Sequence, residues 1–232
     1  MWLCYGLICW VKKDFVFKEG ILNPVDIITE NSHWLALDKP KGVSVHNKNE
    51  KDLVSFVKNY LDQDTAYPIN RLDGGTCGVV LFAKHKEAAR ALQQMFEKRQ
   101  VKKIYLARVQ VLKNKPKEKE EGVWRWPLTN RAEGRKNPKG YWARRIPCET
   151  KWSCLQVREG EALLKIELLT GRKHQIRRHS AIYGWPIWQD PRYGPKEVGE
   201  ESGVNLVAKE LSFQCPLVEE PFLIRSKFLL DG

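Results

Sequence analysis

Three features of this 232-residue chain have the residue types and spacing to do chemistry: one acid, one tyrosine and one cluster of cations. Asp73 stands in "INRLDGGTCGVVLFAK", between an Arg-Leu pair and two glycines and just ahead of an apolar run. Gly74 and Gly75 permit a sharp turn that can hold the neighbouring carboxylate out toward a ligand, although an ordinary Asp-Gly turn accounts for the same letters. In "GRKHQIRRH", Arg172, Lys173, His174, Arg177, Arg178 and His179 fall within eight positions. On a helix, His174 and Arg177 or Arg178 share a face, which turns at least one cation inward beside Ile176. A buried guanidinium requires an anion. Two charges about 4 Å apart at an effective dielectric near 20 attract by roughly 4 kcal/mol, enough to matter against partial desolvation. Asp73 is the expected counter-charge, and a phosphate-binding surface without catalysis is the other reading of the cluster. Tyr105, in "KIYLARV", either packs in the core or offers a flat ring for stacking.

The balance of charge narrows the partner. The chain carries 40 basic and 28 acidic residues, a formal net charge of +12, which favours a polyanion. The excess is uneven: Lys98 to Lys151 holds 17 Lys or Arg against 5 Asp or Glu, a basic strip or a solvated loop face. No Ser-His-Asp or Cys-His arrangement, Walker loop, GxGxxG fingerprint or HExxH pair is visible. The six cysteines form no CxxC pair and no zinc spacing, so neither a metal site nor a disulfide scaffold is indicated and a reducing cytoplasm is expected. No carboxylate cluster accompanies the basic strip, which leaves a metal-dependent nuclease poorly supported.

These residues need elements to position them. Val25 to Thr29 and Trp34 to Leu37 read as strands, the second ending where Pro40 and Gly42 force a turn. Asp52 to Leu61 has a helical apolar period, and Val79 to Ala83 is a continuous apolar run expected as a buried strand. Lys86 to Arg99 is rich in helix formers and places Ala89, Leu92 and Phe96 on one face. Ile104 to Val111 alternates as a strand, and "LKNKPKEKEEG" is then a charged loop. Thr150 to Val157 and Ala162 to Leu169 form a hairpin through "REGE", a short helix is expected from about Lys173 to Tyr183, and "NLVAKELSF" is a further strand. Residues 1–23 read as an N-terminal extension whose apolar opening, the eleven residues MWLCYGLICWV, is too short to span a membrane, and the charges of Lys12 and Lys13, which follow rather than precede that stretch, argue against a secretory signal. With no internal repeat, the expectation is a single α+β domain on a mixed, mainly antiparallel twisted sheet.

Four segments together resemble one family. "INRLDGGTCGVVLFAK" looks like the "HRLDxxTSGLLLxAK" motif of RluA-type pseudouridine synthases, and "LLTGRKHQIRRHSAIYGWPIWQDPRYG" is similar to their "TGRTHQIRxHxxxxGxPIxGDxxYG". "LALDKPKGVSVHN" and "KKIYLARV" resemble the "KPxGxxVH" and "KxYxAxV" blocks, in the right order, so that the likeness spans residues 24–216. The resemblance implies an α+β catalytic domain that isomerises uridine in RNA and needs no metal or organic cofactor, with rRNA or tRNA as the expected substrate; nothing in the sequence demands a protein partner, and a monomer is expected. It implies Asp73 as the catalytic aspartate, Tyr105 as the active-site tyrosine and Arg177 as the arginine that pairs with the aspartate. An isolated carboxylate in a dry pocket tends to take up a proton, and a cation at contact distance opposes this. The target uridine must leave its stack, and the Tyr105 ring could receive it. Lys39 and Arg71 either contact phosphate or brace the catalytic loop, and Arg172, Lys173, His174 and Arg178 are expected to bind RNA. Asn70, Cys77, Lys173 and Gln189 depart from the family's His, Ser, Thr and Gly. They motivate the alternative of an RNA-binding or RNA-remodelling protein with weak or no catalysis. An N-terminal S4-type domain, which many relatives carry, has no room in this chain, and its basic strip would partly compensate.

Overall fold

The structure, a computed structural model, describes residues 16–17, 20–21, 25–46, 52–130, 136–140, 144–195 and 203–230. Most of the reading of residues 1–23 therefore lies outside the described residues; within it, β1 (Val16–Phe17) and β2 (Gly20–Ile21) form a short antiparallel pair.

Ten further strands make one sheet. In chain order they are β3 (Asp26–Glu30), β4 (Trp34–Lys39), β5 (Tyr67–Pro68), β6 (Cys77–Ala83), β7 (Val101–Gln110), β8 (Glu121–Trp124), β9 (Thr150–Arg158), β10 (Glu161–Leu168), β11 (Leu206–Gln214) and β12 (Pro221–Arg225). The spatial order is β3-β4-β6-β11-β7-β10-β9-β8, with β5 on β6 and β12 on β11. Among the described strands only the β6–β11 pairing is parallel, so the sheet is mixed and mainly antiparallel, as expected. Gly78 marks that junction at φ +115°, where an added Cβ would collide with the Ala208 backbone.

Three helices pack on the sheet among the described residues: α1 (Leu53–Leu61), α2 (Lys86–Glu97) and α3 (Gln175–Ile182). Asp52 caps α1 by accepting from the Ser55 N–H at 2.8 Å, which fixes its start at the sequence-predicted place. Helix α1 buries Leu53, Phe56 and Val57 in the cluster that also holds Tyr105, Ile166 and Ile176. Helix α2 lays Ala88, Leu92 and Met95 on the other side of the sheet, against Val79, Leu81 and Phe213. Every residue of β6 is buried, because both of its faces are covered, and this is why it reads as an unbroken apolar run.

Three boundaries differ from expectation for tertiary reasons. Strand β7 starts at Val101, three residues before the apolar alternation, because Val101, Lys102 and Lys103 pair with Phe213, Ser212 and Leu211 of β11. The end of the charged loop becomes β8, which pairs with β9 and delivers Trp124 into an aromatic cluster with Trp152 and Trp185. Strand β12, in the proline-punctuated tail, forms on β11, where backbone pairing outweighs a weak local preference.

Candidate active site

The Asp73 loop is built by two turns latched together. Asp73 O accepts from Thr76 N at 3.0 Å, which closes the "DGGT" turn. Gly74 O accepts from Gly42 N at 2.9 Å and from Lys39 Nζ at 3.1 Å, so the "KPKG" turn after β4 holds the carbonyl next to the acid. Asn70 ties the preceding residues to β6: its Nδ2 donates to Val79 O at 3.2 Å and its Oδ1 accepts from Leu81 N at 2.7 Å. A Cβ at Gly75 would lie 3.1 Å from Val204 Cγ2, a tight contact that Val204 would have to relieve by a few tenths of an ångström.

Asp73 then meets α3. Arg177 Nη1 donates to Asp73 Oδ2 at 3.2 Å, while its Nε and Nη2 grip both oxygens of Asp190 at 2.8 Å each. Asp190 is fully buried, and its Oδ1 also accepts from the backbone N–H groups of Arg192 and Tyr193. The guanidinium is thus fixed as a fork on one carboxylate and presents its remaining edge to the other. Burial alone works against the Arg177 charge, but Asp190 and Asp73 outweigh it and hold the guanidinium above its ordinary value. The Asp73 side chain keeps 33% of its surface exposed, against 8% for Arg177, so the acid is both charge-paired and reachable.

His174 closes the other flank, with Nε2 3.4 Å from Asp73 Oδ1 and Nδ1 3.1 Å from the Tyr193 hydroxyl. Burial pushes its imidazole down to about 4 despite the pull of Asp73, with Arg177, Arg192 and Lys173 adding to the depression. The contact with Asp73 is that of a neutral ring, not an ion pair. Tyr105 lies on the floor of the same cleft; burial, then the Asp73 charge, pushes its phenol above the ordinary range and keeps it protonated. The cleft has a volume of about 650 Å³ and is walled by Arg71, Arg172, Lys173 and His174 around Asp73 and Tyr105.

Two of the sequence-predicted RNA contacts are corrected. Lys39 is wholly buried, donating to the carbonyls of Pro40, Val43 and Gly74, and burial lowers it to about 8 against the opposing pull of Cys77 and Asp73. It braces the loop and has no surface for RNA. Arg178 is equally buried and donates to Pro138 O at 2.6 Å, Thr129 O at 2.7 Å and Thr129 Oγ1 at 3.0 Å. It fastens Thr129 and Pro138 to α3. Arg71 is exposed on the cleft wall and makes no side-chain hydrogen bond among the described residues, which favours binding over bracing. Arg172 lines the cleft with its Nε buried and without a partner among the described residues.

With these departures present, Asp73, Arg177 and Asp190 still meet. Cys77 is a buried thiol pushed up by burial, its Sγ 3.8 Å from Leu206 O. Gln189 takes φ +58°, the conformation that favours glycine, and its Oε1 accepts from Asn205 Nδ2 at 2.9 Å. Asp190 and Tyr193 are the site residues that the sequence reading missed. The signal was there: one partly exposed Asp73 cannot satisfy a buried fork of five N–H donors, and Asp190 follows Arg177 by 13 positions in the same motif.

The family described as RNA pseudouridylate synthase matches residues 33–181, a stretch that holds Asp73, Tyr105 and Arg177. The chain belongs to that family. Among similar curated proteins, ribosomal large subunit pseudouridine synthase C of Vibrio parahaemolyticus is 32% identical over 233 residues, covering 90% of this chain and 69% of the relative. The dual-specificity RNA pseudouridine synthase RluA of Vibrio cholerae is 32% identical over 195 residues, covering 83% and 78%. An RNA pseudouridine synthase homologue of Mycoplasma pneumoniae is 32% identical over 208 residues; the match covers 85% of this chain but only 64% of that relative's length. Human RNA pseudouridylate synthase domain containing 1 has the same fold, with a TM-score of 0.73 at 19% identity over 91% of this chain and 86% of that one. Among the described residues no group of His, Cys, Asp and Glu could hold a metal ion, and no helix is long and apolar enough to cross a membrane.

Proposed function

We propose that this RNA pseudouridylate synthase family member isomerises specific uridines of ribosomal or transfer RNA to pseudouridine, as a single catalytic unit and a monomer, with Asp73 as its catalytic carboxylate. One observation carries the reading: the partly exposed carboxylate that meets the Arg177 fork opens onto a basic cleft whose floor is Tyr105. In the reaction the N1–C1' bond breaks, the uracil turns, C5 bonds to C1', and the proton lost from C5 is balanced by one gained at N1. A carboxylate kept charged by Arg177 suits attack on the sugar, addition to the base or removal of a sugar proton. Arg177 performs this task only because Asp190 fixes its orientation. Tyr105, protonated and buried at the cleft floor, supplies a ring against which an unstacked base can rest, and Arg71, Arg172 and Lys173 offer cations to the flanking phosphates. The free, buried thiols Cys77, Cys148, Cys154 and Cys215 suit a reducing cytoplasm, where such RNA is found.

The test is to incubate the purified protein with total RNA from cells lacking this chain and to map pseudouridines chemically before and after. New pseudouridine at one or a few defined uridines is expected. RNA that is bound in a salt-sensitive way but remains unmodified would instead establish the non-catalytic RNA-binding alternative.

A further inference from the structure

A second groove of about 500 Å³ adjoins the cleft, with Leu168 at the end of β10 lining both. Arg99, Lys102 and Lys103 line it, together with Glu149 and Glu167. Lys103 stands two residues before Tyr105 on β7, about 6.5 Å along the strand, so these cations begin where the cleft floor ends. None of the three cations has a carboxylate within 4.0 Å among the described residues, whereas Glu149 is taken up by Arg125 at 3.1 Å. Among the described residues of the groove, Glu167 is the acid left to oppose an anion. Burial, and then the charge of Arg99, holds Lys103 below its ordinary value. Lys103 is half-buried beside the exposed Arg99, and an anion lying between two like charges lowers their repulsion.

We propose that the RNA strand on one side of the target nucleotide leaves the Asp73 cleft across Leu168 and runs along this groove, with Arg99, Lys102 and Lys103 holding its phosphates. The proposal rests on the RNA reading of the cleft and extends it to Arg99, outside the family motifs, and to Lys102 and Lys103, which open the "KKIYLARV" segment. It also accounts for the early start of β7: pairing with β11 carries Lys102 and Lys103 into ordered positions instead of a mobile loop.

The experiment measures the dissociation constant for an unmodified transfer or ribosomal RNA transcript between about 50 and 200 mM salt. An Arg99→Gln/Lys103→Gln variant is expected to bind more weakly, with the slope of log Kd against log salt reduced by about 1 for each phosphate that the groove no longer holds. Arg99→Gln/Lys102→Gln, which alters only exposed side chains, guards against a folding defect and is expected to behave alike. Lys86→Gln, an exposed cation on α2, controls for net charge and should leave the slope unchanged. Salt lines parallel to wild type for both double variants overturn the proposal. So does a polyglutamate peptide that competes at the groove cations while RNA binding is untouched, since the groove would then face an acidic protein. If the slope falls but the wild-type protein forms no pseudouridine, the groove stands and the synthase reading fails; if pseudouridine forms and the slopes agree, only the groove fails.

Discussion

Arg177 and Arg178 are neighbours on α3, both buried, and they do opposite work. Arg177 faces two carboxylates, one locked in the core and one open to the cleft. Among its described contacts Arg178 donates to the carbonyls of Pro138 and Thr129 and to the Thr129 hydroxyl, and it ties these two residues to the helix. Residue type and depth are the same on both sides; the described partners decide whether a buried cation orders an exposed acid or ties down a chain segment. An arginine pinned between an immobile acid and an exposed one transfers order from the core to the exposed one. An arginine pinned to carbonyls ends the line.

The largest expected effect breaks the Arg177 side of this contrast. Asp190→Ala leaves a buried guanidinium without its main counter-charge and strands two backbone N–H groups, so a loss of about 3–5 kcal/mol is expected in denaturant unfolding, with activity lost alongside. Next comes the direct comparison. Arg177→Lys cannot grip both oxygens of Asp190 and reach Asp73 at once, and losing hydrogen bonds between charged groups at about 1.5–3 kcal/mol each predicts at least a tenfold fall in kcat. Arg178→Lys should lower Tm through weaker fastening while its kcat stays near wild type. Equal kcat losses in the two variants would erase the distinction.

Tyr105 sharpens the same contrast from the base side. If its ring is what receives the uracil, Tyr105→Phe keeps most of the RNA affinity whereas Tyr105→Leu loses about 1–3 kcal/mol, the range for stacking one base. Direct binding titrations separate the two. A smaller effect follows from the neutral imidazoles of α3. Burial holds His174 and His179 near 4, below the ordinary 6.5, with the Asp73 pull on His174 and the Trp126 carbonyl on His179 working in the opposite direction. The unfolded chain binds these protons more readily, so the stability they contribute is complete above about pH 6.5 and is lost as pH falls toward 4. Thermal unfolding recorded across that window should show Tm falling on acidification. Smallest of all is Cys77→Ser, a buried change of one atom beside Leu206 O, expected to alter stability by under about 1.5 kcal/mol and activity not at all.

Much of the site was legible because its parts are local. Asp73 with its glycines, the β7 tyrosine and the α3 cations each sit in a short stretch, and the expectation that an inward arginine pairs with Asp73 rests on charge alone. What stayed illegible depended on distance. Asp190 gains its role from a turn that folds back under α3, and whether Lys39 contacts phosphate or braces the loop is decided only where the "KPKG" turn surrounds it with carbonyls. Helix α3 reads as a basic helix with at least one cation turned inward, but the burial of six consecutive residues from Gln175 to Ser180 depends on partners that distant segments bring to each polar side chain. In the sheet, the strands with two covered faces or clean alternation were legible. Strand β8 was not, since its order comes from pairing with β9 and from burying Trp124 rather than from its own charged letters.

The central claim is that a charge-paired Asp73 does the chemistry while the surrounding cations do the binding. Asp73→Asn keeps the shape and removes the charge, so single-turnover pseudouridine formation and RNA binding measured on one transcript test it most directly. Formation reduced to background with a dissociation constant close to wild type is the predicted result. Pseudouridine appearing at the wild-type rate in the Asn variant would contradict the account.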